Sequence, residues 1–346
     1  MTAEKLPLPP LALTPPLALT MGDPGGVGGE IAVKAWQALK ESGPAFFLID
    51  DPTRIEKISN EMTVLSEPSD ASGVFANRLP VLPLANKVSA TPGLSQQDNA
   101  PAILESIERA VGYALDGAAA GGVTNPIQKA TLMAAGFAFP GHTEYLGDLT
   151  KSEEMPNART RGPVMMLAGP QLRTVPVTIH HAVKDAIAML TPRLIVHAAL
   201  VTAEALRDEF GVAAPRLAIS GLNPHAGEAG ALGLEDSMII APAVDELRAM
   251  GIDASGPLPA DTMFHKEARE TYDAALCMLH DQALIPAKTL AFHDAVNVTL
   301  GLPIIRTSPD HGTALDIAGK GVARADSLIA ALRLAADMAA RRRQLK

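Results

Sequence analysis

From Leu17 onward, short apolar runs alternate with longer stretches whose apolar positions recur every three or four residues. Alternation of these two periods predicts an α/β protein, with helices covering a largely parallel sheet. LALT (17–20), PAFFLID (44–50) and LPVLPL (79–84) read as strands. Residues 96–119 place Ile103, Ile107, Val111 and Ala114 on one helical face, and GGVTNP (121–126) then reads as a strand ending in a loop. PVMML (163–167), RTVPVTIH (173–180), RLAISGLNP (216–224), AALCMLH (274–280) and VNVTLG (296–301) read as further strands, and residues 194–210 as a helix. The last three strands each run into a polar loop. In open α/β sheets ligands collect beyond the carboxyl ends of strands, so the polar residues there are the first candidates for a site.

Length changes this picture by asking for two lobes, because 346 residues exceed what one hydrophobic core usually supports. With no repeat and no linker between modules, the expected division is residues 17–125 with 302–346, and residues 126–301. A loose proline-rich tail over 1–16 precedes them and holds the first of two tandem PPLALT copies. Aromatic residues are only 3%, so small and aliphatic side chains must do most of the packing. The net charge of -9, with no Lys/Arg run before Arg341–Arg343, gives nucleic-acid binding little support. No apolar run approaches the roughly 20 residues of a membrane span. A single cysteine, Cys277, excludes an intrachain disulfide and suits a reducing compartment, and the expected location is the cytoplasm.

MGDPGGVGGE (21–30) invites comparison with a dinucleotide-binding loop. That fingerprint needs G-x-G-x-x-G between strand and helix and an acid about 20 residues later. Gly26 and Gly28 begin it, but Ile31 occupies the third glycine position. Asp50 and Asp51, 22 and 23 residues after Gly28, do end a predicted strand. The better reading is a tight first strand-to-helix turn of a different fold, its glycines serving close backbone approach.

Three of the nine histidines end predicted strands: His180, His225 and His280. Neutral imidazoles are the commonest metal ligands, and three protein donors with an open position make a catalytic metal site. Singly, each is more simply a hydrogen-bonded loop residue. His181 competes with His180, and strand alternation cannot choose between them. Lys288 and Arg306 are cations of the kind that hold a phosphate or carboxylate. RTSPDHGTA (306–314) is dense in turn formers and reads as a loop before a helix. Cys277, within an apolar strand, reads as a buried free thiol.

GDPGGVGGE (22–30), TNPIQK (124–129), PGHTE (140–144), GLNPHAGEAG (221–230), GPLPADT (256–262), HDQ (280–282) and VNVTLGLPIIRTSPDHGTA (296–314), in this order, resemble the 4-hydroxythreonine-4-phosphate dehydrogenase family of vitamin B6 biosynthesis. The resemblance implies two α/β/α lobes of the isocitrate/isopropylmalate dehydrogenase type, in a homodimer with active sites at the subunit interface. It implies oxidation of a small phosphorylated substrate at its 3-hydroxyl by NAD or NADP, with decarboxylation. One divalent metal per site, zinc, magnesium or cobalt, would be held by His180, His225 and His280, one of them from the partner subunit. The resemblance selects His180 over His181. It assigns substrate contacts to His142, Thr143, Lys288, Asn297 and Arg306, and makes Asp261 and Asp281 the proton-transfer candidates. Gly29, where the family commonly has proline, and Asn125 and Gln128 depart from the pattern. They bear on the substrate, for which 4-phospho-threonate, 4-phospho-erythronate and aromatic-acid dihydrodiols are the alternatives. From another class, a metal-dependent phosphate-ester hydrolase or phosphate acyltransferase would use the same kind of cleft.

Overall fold

The computed structural model describes residues 14–139 and 141–345. In chain order the strands are β1 (Leu17–Thr20), β2 (Phe46–Asp50), β3 (Met62–Val64), β4 (Leu79–Pro83), β5 (Gly122–Val123), β6 (Val164–Ala168), β7 (Arg173–Pro176), β8 (Arg216–Ser220), β9 (Asp253–Leu258), β10 (Ala274–Cys277), β11 (Val296–Leu300) and β12 (Arg306–Pro309). The helices are α1 (Gly28–Leu39), α2 (Pro52–Glu56), α3 (Ala71–Val74), α4 (Ala100–Leu115), α5 (Lys129–Ala134), α6 (His142–Leu149), α7 (Val183–Met189), α8 (Pro192–Asp208), α9 (Ala241–Ala249), α10 (Lys266–Arg269), α11 (His280–Ala291) and α12 (Asp326–Gln344). Most of the expected tail, up to residue 13, lies outside the described residues.

The chain divides into two compact α/β units. One takes in residues 14–153 together with Leu302–Gln344, the other Glu154–Gly301. The sequence reading began the second lobe at residue 126. The difference lies in residues 126–153, where Leu132, Tyr145 and Leu146 share a core with Ile103, Ile107 and Val111 of α4.

In the first unit the strands run in the order β3-β4-β2-β1-β5-β12, all parallel. β1 and β2 are buried along their whole length, which is why they read as unbroken apolar runs. β12 was expected to be loop. Its Arg306, Thr307 and Ser308 are all buried, and Arg306 and Thr307 lie in parallel register with Gly122 and Val123. A buried strand made of polar residues carries no apolar signal, so turn chemistry dominated the reading.

The second unit has the order β11-β6-β7-β10-β8-β9, with β6 antiparallel to both its neighbours and the rest parallel. Its core joins Leu167, Ala218, Ala275 and Cys277 of the sheet to Ala283, Leu284 and Ala287 of α11. Cys277 is a free, buried thiol whose pKa burial pushes up to about 12, so it has no nucleophilic character near neutrality. The apolar run read as a strand through His280 ends at Cys277, and His280 opens α11 instead. Among the described residues no single helix is long and apolar enough to cross a membrane.

Candidate active site

The glycine loop after β1 is occupied by its own chain. Gly25 N donates to Asp23 Oδ1 at 2.9 Å, and Val27 N donates to Thr313 O at 3.0 Å. A Cβ at Gly26 would lie 2.7 Å from Thr313 O, so the glycines serve backbone contact. Asp23 is buried, and its other oxygen accepts from Ser95. Glu30 accepts from Gly319 N and from Gly321 N, pinning that loop to α1. The amides of Gly25, Gly26 and Val27 are thus committed within the chain.

The histidines occupy a more telling place. β7, β10 and β8 are adjacent parallel strands, and His180, His280 and His225 follow their carboxyl ends. Thr178 fixes the first to the second, its Oγ1 donating to Met278 O at 2.6 Å. The rings of His180 and His280 stand 5.7 Å apart at 44°. They line a cavity of about 370 Å³ that His181 and Asp281 also reach. His280 Nδ1 lies 2.8 Å from Asp281 Oδ1, an arrangement that favours the tautomer with its proton on Nδ1 and leaves the Nε2 lone pair to a metal. Lys288, eight residues on, lies on the same face of α11 and lines a second hollow with His280.

His225 sits on an unusual turn. Residues 225–230 all have positive φ, from 45° at Glu228 to 94° at Gly230, making a left-handed helical turn. Each of the four non-glycine residues there costs roughly 1–2 kcal/mol. Asp236 offsets that cost. Its buried carboxylate accepts from Leu222 N at 2.8 Å, Asn223 N at 3.1 Å and Asn223 Nδ2 at 2.9 Å. Gly221 and Gly227 leave the room it needs: a Cβ at either would meet an Asp236 oxygen, at 2.7 Å and 3.2 Å. Asp236→Ala is expected to cost about 3 kcal/mol in denaturant unfolding, since three donors lose their acceptor. A loss below about 1 kcal/mol would mean the turn holds itself. Asp261 is exposed on the short Ala260–Thr262 helical turn that packs against this one. Among the described residues no three metal-ligating side chains of one chain converge closely enough to hold an ion. His180 and His280 are brought together; His225 is not brought onto them.

In the first unit a different chemistry assembles. Arg306 is buried in β12, donates to Thr124 Oγ1 at 2.6 Å, and is pushed down to about 10 by burial. His142 and Thr143 open α6, which has no side-chain cap, so first-turn amides remain for an anion. His142 Nε2 is buried without a hydrogen-bond partner. Burial, then the charges of Arg306 and Lys129, hold this imidazole well below its usual 6.5. Lys129 lies in the TNPIQK segment, where no sequence signal distinguishes it from a solvated surface lysine. A Cβ at Gly141 would lie 3.3 Å from its Nζ, which shows how closely the ammonium approaches the start of α6. In the second unit, Asn297 of β11 likewise keeps a buried Oδ1 with no partner.

The neutral state of His142 has a measurable consequence. Below about pH 6.5 an unfolded chain takes up a proton that the native pocket refuses. The stability linked to this group is therefore complete above that pH and lost as pH falls below it. His142→Gln is expected to flatten the decline of melting temperature between about pH 7 and pH 5. An unchanged slope in calorimetric melts would mean the native imidazole protonates normally.

Paired imidazoles at strand ends and a cationic pocket for a phosphate are what the family resemblance requires. A sequence profile described as "Pyridoxal phosphate biosynthetic protein PdxA" matches residues 38–335. The chain belongs to this family. A 4-hydroxythreonine-4-phosphate dehydrogenase of Caulobacter vibrioides is 56% identical over 329 residues, covering 94% of this chain and 98% of the relative. The crystal structure of the 4-hydroxythreonine-4-phosphate dehydrogenase from Klebsiella pneumoniae matches with a TM-score of 0.82 at 36% identity, covering 94% of this chain and 98% of that one. A terephthalate 1,2-cis-dihydrodioldehydrogenase from Burkholderia xenovorans matches at 0.65 and 27%, covering 94% and 98%. This PdxA-family chain is an oxidoreductase acting on a CH–OH group. Legible from sequence were the strand-end histidines. Lys129 and Asp236 were not, because only the fold brings Lys129 to α6 and Asp236 to the His225 turn.

Proposed function

We propose that this protein oxidises 4-phosphooxy-L-threonine at its 3-hydroxyl with NAD or NADP as acceptor, in pyridoxal 5'-phosphate biosynthesis. The resulting 3-ketone stands β to the carboxylate, which leaves as CO2 to give 3-amino-2-oxopropyl phosphate. The observation that carries the reading is a cation pocket: the buried Arg306, the exposed Lys129 and the open start of α6 around a neutral His142. Such a pocket suits a phosphate dianion, and burial strengthens the contact from Arg306. Thr143, Lys288 and Asn297 are the further substrate contacts.

The donor set fits a divalent ion. His180 and His280 are neighbouring imidazoles, the second oriented by Asp281. With His225 they would hold zinc, magnesium or cobalt in a homodimer, one of the three imidazoles coming from the partner subunit. When bound, the ion supplies Lewis acidity to the reacting hydroxyl and carbonyl. Asp281 holds the His280 ring in its tautomer, and Asp261 or the free oxygen of Asp281 takes up the hydroxyl proton.

The test is a substrate panel on the purified protein with each nicotinamide nucleotide and each metal. Nicotinamide reduction and CO2 release with 4-phosphooxy-L-threonine are the expected result. Reduction only with 4-phospho-threonate, 4-phospho-erythronate or an aromatic dihydrodiol would reassign the substrate. Phosphate release without reduction would replace the reading with a hydrolase.

A further inference from the structure

The glycine loop after β1 holds none of the residues assigned to metal or substrate, yet Asp23 within it grips the chain on both sides of Lys129. Upstream, Asp23 N donates to Pro126 O at 2.9 Å, three residues before the lysine. Gly22 permits that approach: its φ is +72°, and a Cβ there would lie 2.8 Å from Pro126 O. Downstream, the buried Asp23 side chain accepts from Ser95 Oγ, and Ser95 Oγ stands 2.8 Å from Thr131 Oγ1, two residues beyond the lysine on α5. A hydroxyl has one proton and a carboxylate only accepts, so Ser95 gives its proton to Asp23 and receives one from Thr131. The chain of hydrogen bonds therefore runs from Thr131 through Ser95 to Asp23, each bond polarising the next.

The Ser95 link is itself held in place. Gly93 N donates to Gly25 O at 2.8 Å, and Gly25 N donates to Asp23 Oδ1 at 2.9 Å. The two loops touch so closely that a Cβ at Gly25 would sit 2.0 Å from Leu94 O.

Lys129 needs such support. It is exposed, so its ammonium is placed by the backbone it springs from rather than by burial. α5 has only six residues and no side-chain cap at Gln128, and a helix that short is not stable by itself. Leu132 anchors its body in the core, while the two Asp23 links fix where it begins. A lysine stem loses much of its rotamer freedom when its ammonium meets an anion, and a fixed root keeps the ammonium within reach. We propose that Asp23 is a positioning residue for the phosphate pocket: through Pro126 on one side, and through Ser95 and Thr131 on the other, it sets Lys129 against the start of α6. The inference rests on the phosphate reading of that pocket.

Inorganic phosphate is the probe, titrated calorimetrically into the full-length protein and its variants. Lys129→Met is expected to weaken phosphate binding about tenfold. Ser95→Ala and Thr131→Val should each weaken it about threefold, and neither should weaken it further in the Lys129→Met background, because both act through the ammonium. Asp23→Ala should lose at least as much as Ser95→Ala. Asp23→Asn should stay within about twofold of wild type, since its amide can donate to Ser95, which then turns its own proton to Thr131. Melting curves establish that each variant is folded, and the Ser95 and Thr131 cycles decide the matter if Asp23→Ala is not. Full threefold losses persisting without Lys129, or an Asp23→Asn variant as weak as Lys129→Met, overturn the proposal. Those results beside an intact Lys129→Met effect leave the pocket standing. No phosphate binding by wild type, or no loss in Lys129→Met, removes the pocket and the inference with it. Phosphate is common to all the phosphorylated substrates considered, so the outcome does not depend on which of them the panel selects.

Discussion

Arg306→Met is expected to leave melting unchanged or slightly raised while lowering kcat/KM for the phosphorylated substrate by about 100-fold, mostly through KM. The guanidinium is buried, and desolvation lowers its pKa to about 10. A cation held at that cost stabilises the fold poorly, and replacing buried charge with an apolar side chain of similar length is often neutral or favourable. Against a phosphate the balance reverses. Losing a buried charged hydrogen-bond partner costs about 3 kcal/mol, which corresponds to roughly 100-fold. Steady-state kinetics and thermal melts on the same preparation check both halves. An unaltered KM removes Arg306 from the site, and a large fall in melting temperature makes it a structural cation bound to Thr124.

His280→Ala is expected to abolish both bound metal and turnover, and Asp281→Asn to weaken metal binding by about 10- to 100-fold without abolishing it. The graded result follows from the 2.8 Å contact between His280 Nδ1 and Asp281. The first change removes a proposed ligand; the second releases the ring from its orientation. Metal content by emission spectrometry and competition with a chelating dye separate the two without an activity assay. Full metal occupancy in His280→Ala would move the centre elsewhere. An Asp281→Asn variant with native affinity but lost turnover would reserve that carboxylate for proton transfer.

Apolar periodicity made the frame legible. β1, β2, α4 and α8 were all visible because their burial is written in aliphatic residues. β9, with the sequence DASGPL, and β12, with RTSP, were not, since neither has an apolar pattern. The histidines were visible as strand-end residues but not as neighbours. His180 and His280 meet because Val175 pairs with Leu276 across parallel strands a hundred residues apart, and no local signal encodes that crossover. The His225 turn was hidden for a different reason. Glu228 and two alanines in a left-handed path defy local propensity, and only the Asp236 carboxylate from a later turn makes it tenable.

The first unit is built from two separated stretches of chain, with β12 and α12 returning after the whole second unit has intervened. During synthesis, Glu154–Gly301 is contiguous and can be complete while its companion still lacks a strand. The five strands β1–β5 then wait with Gly122 and Val123 unpaired on the side that β12 will cover. Arg306 rides in on that strand, and Thr307 Oγ1 fastens it by donating to Ala331 O of α12 at 2.9 Å. The ribosome thus delivers the guanidinium proposed to bind the anion after every proposed metal ligand, and a nascent chain truncated before Arg306 carries the imidazoles while lacking that buried cation.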